Sequence, residues 1–163
     1  MSTTARTSDL SVTAAPNSHE IAFTRTFDAP RDAVYALYTD ADAIPQWWGP
    51  RRFRTVVDEL DLRVGGRWRF LNIDSDDNEY GFHGVFHEIT PGERIVQTFE
   101  FEGAPGHVSL ETLSFGDDAD GRTRLTGTSV CQSVEARDAM ISSGMEGGMA
   151  ETFDRLEALL AGS

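Results

Sequence analysis

The C-terminal stretch of this chain carries a single apolar stripe. Met145, Met149, Phe153, Leu156 and Leu160 recur at steps of four, four, three and four. That is the spacing of one face of an α-helix. A helix with such a face must bury it against another layer. Most of what precedes it alternates apolar and polar residues at period two, so the partner on offer is a sheet.

The strand signals follow one another with turn chemistry between them. Glu20–Phe27 (EIAFTRTF) alternates as a half-buried strand does. Phe53–Leu62 ends at Gly65-Gly66, Arg67–Ile73 at DSDDN, and Tyr80–Thr90 at Pro91-Gly92. Arg94–Glu102 ends at GAPG, His107–Phe115 at GDDADG, and Arg122–Gln132 closes the series. Connections this short join antiparallel neighbours. Two short helices are expected after the first strand. One is in FDAPRDAVYALYTD, with Asp28 as cap, Pro30 near the first helical position, and Val34, Leu37 and Tyr38 on one face. The other starts at Asp40 or Asp42 and stops at Gly49-Pro50. Ser133 is placed to cap a further helical segment, SVEARDAMIS. The pattern predicts an α+β fold: a seven-stranded antiparallel curved sheet around a long C-terminal helix, with two short helices after the first strand. Residues 1–18 are Ser/Thr/Ala-rich and are expected to be an unstructured tail. Residues 19–163 then form one domain.

The stripe has an oddity. Gly144, Gly147 and Gly148 crowd its first turns, and each glycine inside a helix costs roughly 0.5–1 kcal/mol relative to alanine. Two readings stay open at this point. Either space has been left there, or the glycines permit close contact between helix and sheet.

Composition narrows the partners. The formal net charge is −13, which repels nucleic acid and anionic membrane surfaces. All 14 basic residues are arginine, so no lysine is present to form a Schiff base. Cys131 is the only cysteine, which excludes an intramolecular disulfide and a CxxC metal site. No apolar run reaches the roughly 18 residues of a membrane span. The start, MSTTARTSDLSVTAAPNS, lacks the apolar middle of a secretory signal. A cytoplasmic location is expected.

Several segments, taken in order, resemble the START-like (SRPBCC, helix-grip) superfamily, in the branch named for the C-terminal domain of the heat shock protein 90 ATPase activator. They are FDAPRDAVYALYTD, WWGP, DLRVGGRWRF, GFHGVFHEITPGERIVQTFEF, GHVSLETLSF, TRLTGTSV and SGMEGGMAETFDRLEALL. The resemblance runs from about Glu20 to Ala161. It implies a cavity enclosed between sheet and helix. Relatives bind lipids, hormones or polyketides, and some cyclise or hydrolyse them.

Strand parity then nominates the side chains that enter such a cavity. In RIVQTFEF the more apolar register is Ile95, Gln97, Phe99 and Phe101. In HVSLETLSF the register with the larger aromatic holds Ser109, Glu111, Leu113 and Phe115. In GFHGVFHEI two registers compete, and the one taken holds His83, Val85, His87 and Ile89. Trp68 and Phe70 come from RWRF. Trp47 and Trp48 are adjacent and cannot face one way, so one packs in the core while the other, taken as Trp48, edges the cavity. Met145 and Met149 are pliable fillers, and Phe153 is the firm anchor below them.

Three readings of function follow. The first is a small hydrophobic or aromatic ligand-binding protein, with no cofactor and no metal, acting as monomer or homodimer. The second is a polyketide cyclase- or hydrolase-like enzyme in which Glu111 and His83 form an acid–base pair. The third is a co-chaperone-like protein-binding module. His83, His87 and His107 do not assemble into a three-ligand metal set. No GxSxG, P-loop or dinucleotide fingerprint is present.

Overall fold

The computed structural model describes residues 10–162. Its elements in chain order are β1 (Ser11–Thr13), β2 (Glu20–Phe27), α1 (Arg31–Thr39), β3 (Arg54–Leu60), β4 (Arg67–Ile73), β5 (Glu79–Thr90), β6 (Arg94–Phe101), β7 (Val108–Asp117), β8 (Thr123–Val130), α2 (Val134–Ser142) and α3 (Met145–Gly162). The strands form one antiparallel sheet in the order β1-β2-β8-β7-β6-β5-β4-β3. The helix-grip architecture is therefore the one the alternation predicts, with one strand more than the seven expected.

The extra strand is β1. It pairs through Ser11–Thr13 with Ala22–Thr24 of β2, inside the stretch expected to be an unstructured tail over residues 1–18. Residues 1–9 lie outside the described residues. Three residues are too few to show alternation, and the anchor for this segment comes from far along the chain. Buried Arg137 of α2 donates from Nη1 to the carbonyls of Ala15 (2.9 Å) and Glu20 (3.1 Å). A local reading has no access to that contact.

Two helix details also differ. Pro30, not Asp28, flanks the start of α1, and no side chain caps it. The second short helix is a single 3₁₀ turn, Ile44–Gln46, with proline inside it. Asp40 opens the turn that leads into it, its carbonyl accepting from the amides of Ala43 and Ile44 at 3.0 Å each, and Ala43 flanks the 3₁₀ turn itself. Ser133 does cap α2, its Oγ accepting from the Ala136 amide at 3.0 Å.

α3 lies in the grip of the sheet. Phe153, Leu156 and Leu160 are buried among Phe27, Val34, Phe115 and Leu125. Burying a leucine or phenylalanine side chain contributes about 1.5–3 kcal/mol, so these three positions hold the helix down. Arg25 of β2 adds a polar fastening. It is buried, and its guanidinium reaches Glu157 at 3.1 Å and Asp154 at 3.4 Å on α3. The stripe has a firm half and a loose half. Toward its N-terminus Met145 and Met149 are only partly buried. Gly144 takes φ +88° and ends α2, so that α3 begins as a separate helix at Met145.

Candidate functional site

A cavity of about 340 Å³ opens where α3 loosens. The sheet forms its floor. β4 supplies Trp68 and Phe70, β5 supplies Phe82 and Phe86, β6 supplies Gln97 and Phe99, and β7 supplies Glu111 and Leu113. Met149, Thr152 and Phe153 of α3 close it from above. The loop after the 3₁₀ turn forms one side through Trp48, Gly49 and Pro50. Exposed Leu62, with half-buried Pro50 and Met149, marks where the cavity meets solvent.

The tandem tryptophans divide as adjacency requires. Trp47 is buried, packs on Tyr38 at 4.6 Å, and donates from Nε1 to the Leu37 carbonyl at 3.0 Å. Trp48 packs on β4 and β5 instead, although both tryptophans touch the cavity. Its ring meets Phe70 at 5.1 Å and Phe82 at 5.3 Å, both edge to face. The loop is fastened from α3. Arg155 donates to the carbonyls of Gly49 (2.6 Å) and Gln46 (3.0 Å), and the Glu151 carboxylate accepts from the Arg51 amide at 2.8 Å.

Trp68 needs an unusual opening. Its indole crosses β5 at Gly84 and donates to the Thr98 carbonyl of β6 at 3.2 Å. A Cβ on Gly84 would stand 1.9 Å from that carbonyl oxygen and 2.5 Å from Trp68 Nε1. Only glycine lets the indole through.

Glu111 is the polar centre of the floor. It lies opposite Gln97 on β6 and Ser129 on β8. Its Oε2 accepts from Ser129 Oγ at 3.1 Å and, more weakly, from Ser109 Oγ at 3.4 Å. Burial pushes its carboxyl up to about 7, against the two serine bonds, which pull it down. The Tyr38 phenol, also against the cavity, is pushed far up by burial and by the nearby Glu111 charge.

His83 is not in the cavity. The register taken for β5 put His83, Val85 and His87 inside, whereas Phe82, Gly84 and Phe86 face inward. The physical reason is a β-bulge between Phe86 and Glu88. An extra residue there shifts the parity, so Ile89 rejoins the inner face beyond it. Ile89 therefore pulls a strict period-two reading into the wrong register. On the outer face, His83 Nδ1 sits 2.9 Å from Glu102 and its Nε2 3.4 Å from Glu100. Arg69 grips Glu102 with two bonds of 2.8 Å. That bidentate pair, helped by His83, holds the Glu102 carboxyl down at about 2. The acid–base pair expected of Glu111 and His83 is therefore split between two faces of the sheet.

Of the other nominated residues, Trp48, Trp68, Phe70, Gln97, Phe99, Glu111, Leu113, Met149 and Phe153 converge on the cavity. Phe101 stands beside it, stacked on Phe82 at 5.1 Å. Met145 lies one turn too far toward the N-terminus of α3 and does not line it. Phe82, Phe86 and Tyr38 were missing from the nominated set. The rule applied to β7, to choose the register with the larger aromatics, finds both phenylalanines of β5. Among the described residues no cluster of three metal-ligating side chains occurs. No helix of the described residues is long and apolar enough to cross a membrane.

Comparison with known proteins gives three findings. The model of the family described as activator of Hsp90 ATPase homolog 1-like protein matches residues 28–161. An uncharacterized protein of Schizosaccharomyces pombe is 29% identical over 119 residues, which is 70% of this chain. The match covers 30% of that relative, so the chain spans well under half its length. Among solved structures, a solution structure of an Arthrobacter aurescens protein aligns with TM-score 0.84 at 25% identity, covering 94% of this chain and 92% of that one. A crystal structure of a Rhodobacter sphaeroides protein aligns with TM-score 0.86 at 24% identity, covering 94% and 99%. It is similar in fold.

Proposed function

The chain belongs to the activator of Hsp90 ATPase homolog 1-like family, in the START-like superfamily, and from that premise we propose that it binds a small apolar or aromatic molecule between the sheet and α3. One observation carries the reading. The cavity is walled by aromatic rings from β4, β5 and β6, with few polar groups among them, which is the usual make-up of a small-molecule site. Its size suits the ligand class. An apolar cavity of roughly 150 Å³ holds benzene, so about 340 Å³ accommodates a molecule of two fused rings.

The alternatives have less support. An enzymatic reading loses its imidazole, because His83 lies on the outer face, and it rests on Glu111 alone. A protein-docking reading calls for a contiguous exposed apolar patch. The exposed large apolar side chains among the described residues are Leu62 and Val64 in one loop, Leu110 and Val130 across β7 and β8, and Ile141 on α2. They fall in three places on the chain's surface elements.

Native mass spectrometry of freshly purified protein tests the proposal. The expected spectrum carries a small-molecule adduct that denaturation removes, or gains one when 2-naphthalenemethanol is added. A bare polypeptide that also fails to take up the added probe overturns the reading.

A further inference from the structure

The polar side of the cavity is one-sided in charge. Among the described residues no arginine and no histidine lines it, and the chain has no lysine. Its acid is Glu111. Both protein hydrogen bonds to that carboxylate fall on Oε2. Every buried side-chain oxygen among the described residues has a partner. Oε1, which accepts none of these bonds, is therefore open to space, and Glu111 lines the cavity.

The groups around Glu111 do not neutralise it. Ser109 on its own strand and Ser129 on β8 are neutral donors, and Gln97 faces it from β6. From α1 the nearby titratable group is Tyr38, itself an acid. Arg25 of β2 is the cation on that side of the core, but it is committed to Asp154 and Glu157 of α3. Cys131 adds a thiol that burial and the Glu111 charge push up. An anionic ligand entering here meets a carboxylate and no cation, and pays desolvation without return. A neutral hydroxyl gains one ordinary hydrogen bond. An ammonium gains a charge-assisted bond, which is about twice as strong. The apolar body of the ligand packs among the aromatic rings of Trp68, Phe70 and Phe99 in either case. The net charge of −13 concentrates cations at the surface as well.

We propose that the cavity selects an aromatic amine: a molecule of about two fused rings whose protonated amino group docks on Oε1 of Glu111. The inference rests on the ligand-binding reading of the cavity and names the chemistry that site recognises. Docking requires the ionised carboxylate. With the carboxyl near 7, amine binding below neutral pH drives off the proton of Glu111. The ionised fraction rises from about a tenth at pH 6 to about nine tenths at pH 8. The amine's affinity rises by about tenfold over the same range.

Calorimetry of the full chain with three probes of one shape tests this: 2-naphthylmethylamine, 2-naphthalenemethanol and 2-naphthoate. At pH 8 the amine is expected to bind at least tenfold more tightly than the alcohol, with the carboxylate weakest. From pH 6 to pH 8 the amine strengthens about tenfold and the alcohol does not. Titrations at pH 6 in buffers of different ionisation heat report a released proton for the amine alone. Glu111→Gln removes the amine's advantage over the alcohol. The wild-type ranking and its pH dependence decide the matter even if that variant does not fold. If the alcohol binds and the amine binds no better, or if the amine's advantage survives Glu111→Gln, the preference for amines is wrong while the cavity reading stands. If none of the probes binds, both readings fall.

Discussion

Glu111 is a carboxyl group that burial holds above its ordinary range, so the stability of the protein is expected to depend on pH through it. Its carboxyl is raised from the ordinary 4.5 to about 7 by burial. The native state therefore holds a proton that the unfolded chain has already lost between those two values. Stability is at its greatest below pH 4.5 as far as this group is concerned, falls as pH rises through 7, and is level above it. The loss amounts to at most about 3 kcal/mol. Denaturant unfolding at pH 5 and pH 8 measures it, and Glu111→Gln is expected to flatten the difference. His83 offers the opposite control. It stands on the outer face between Glu100 and Glu102, so His83→Ala is expected to leave the affinity for 2-naphthalenemethanol within about twofold. A larger loss, read by the same calorimetry, places His83 in the ligand's path after all. Glu111 was legible from one strand, because β7 has a plain alternation and Phe115 marks its buried face. The outward place of His83 was legible by the same rule, from Phe82 and Phe86. What β5 does not announce is the bulge at Phe86/Glu88 that returns Ile89 to the inner face, because it lies in the pairing of β5 with β6.

At the scale of elements, α3 answers the question its glycines raise. A Cβ on Gly147 meets nothing within 4 Å, and one on Gly148 meets only Pro50 Cγ at 3.8 Å. The glycines do not serve close contact with the sheet; open space lies beside them. Gly148→Ala is expected to raise stability by up to about 1 kcal/mol in denaturant unfolding. A loss of that size contradicts the open geometry. The other half of the helix behaves in the reverse sense. Leu156 is fully buried, and Leu156→Ala is expected to cost about 2–5 kcal/mol in the same measurement. The periodicity of the stripe made this helix readable, because the same residues that form it also bury it. β1 and the 3₁₀ turn were harder to read. β1 depends on a pairing with β2 and on an arginine far along the chain, and the turn carries proline in its interior.

Across the whole molecule, sheet and helix leave an aromatic-walled space because the grip is tight at one end only. Phe153, Leu156 and Leu160 close the core, while nearer its N-terminus α3 presents only Met149 and Thr152 to the cavity. Arg155 and Glu151 brace the Trp48–Pro50 loop over that end. The cavity belongs to the way the elements meet, which is why the order of motifs reveals the fold while only the assembled structure gives the volume. A solution NMR titration of the full chain with 2-naphthalenemethanol tests the central claim most directly. Saturable shifts are expected at the Met149 and Leu113 methyls and the Trp48 and Trp68 indole NH groups, with Leu110, Val130 and Ile141 unmoved. No saturable shift at all, or shifts confined to those three exposed residues, contradicts a binding cavity between the sheet and α3.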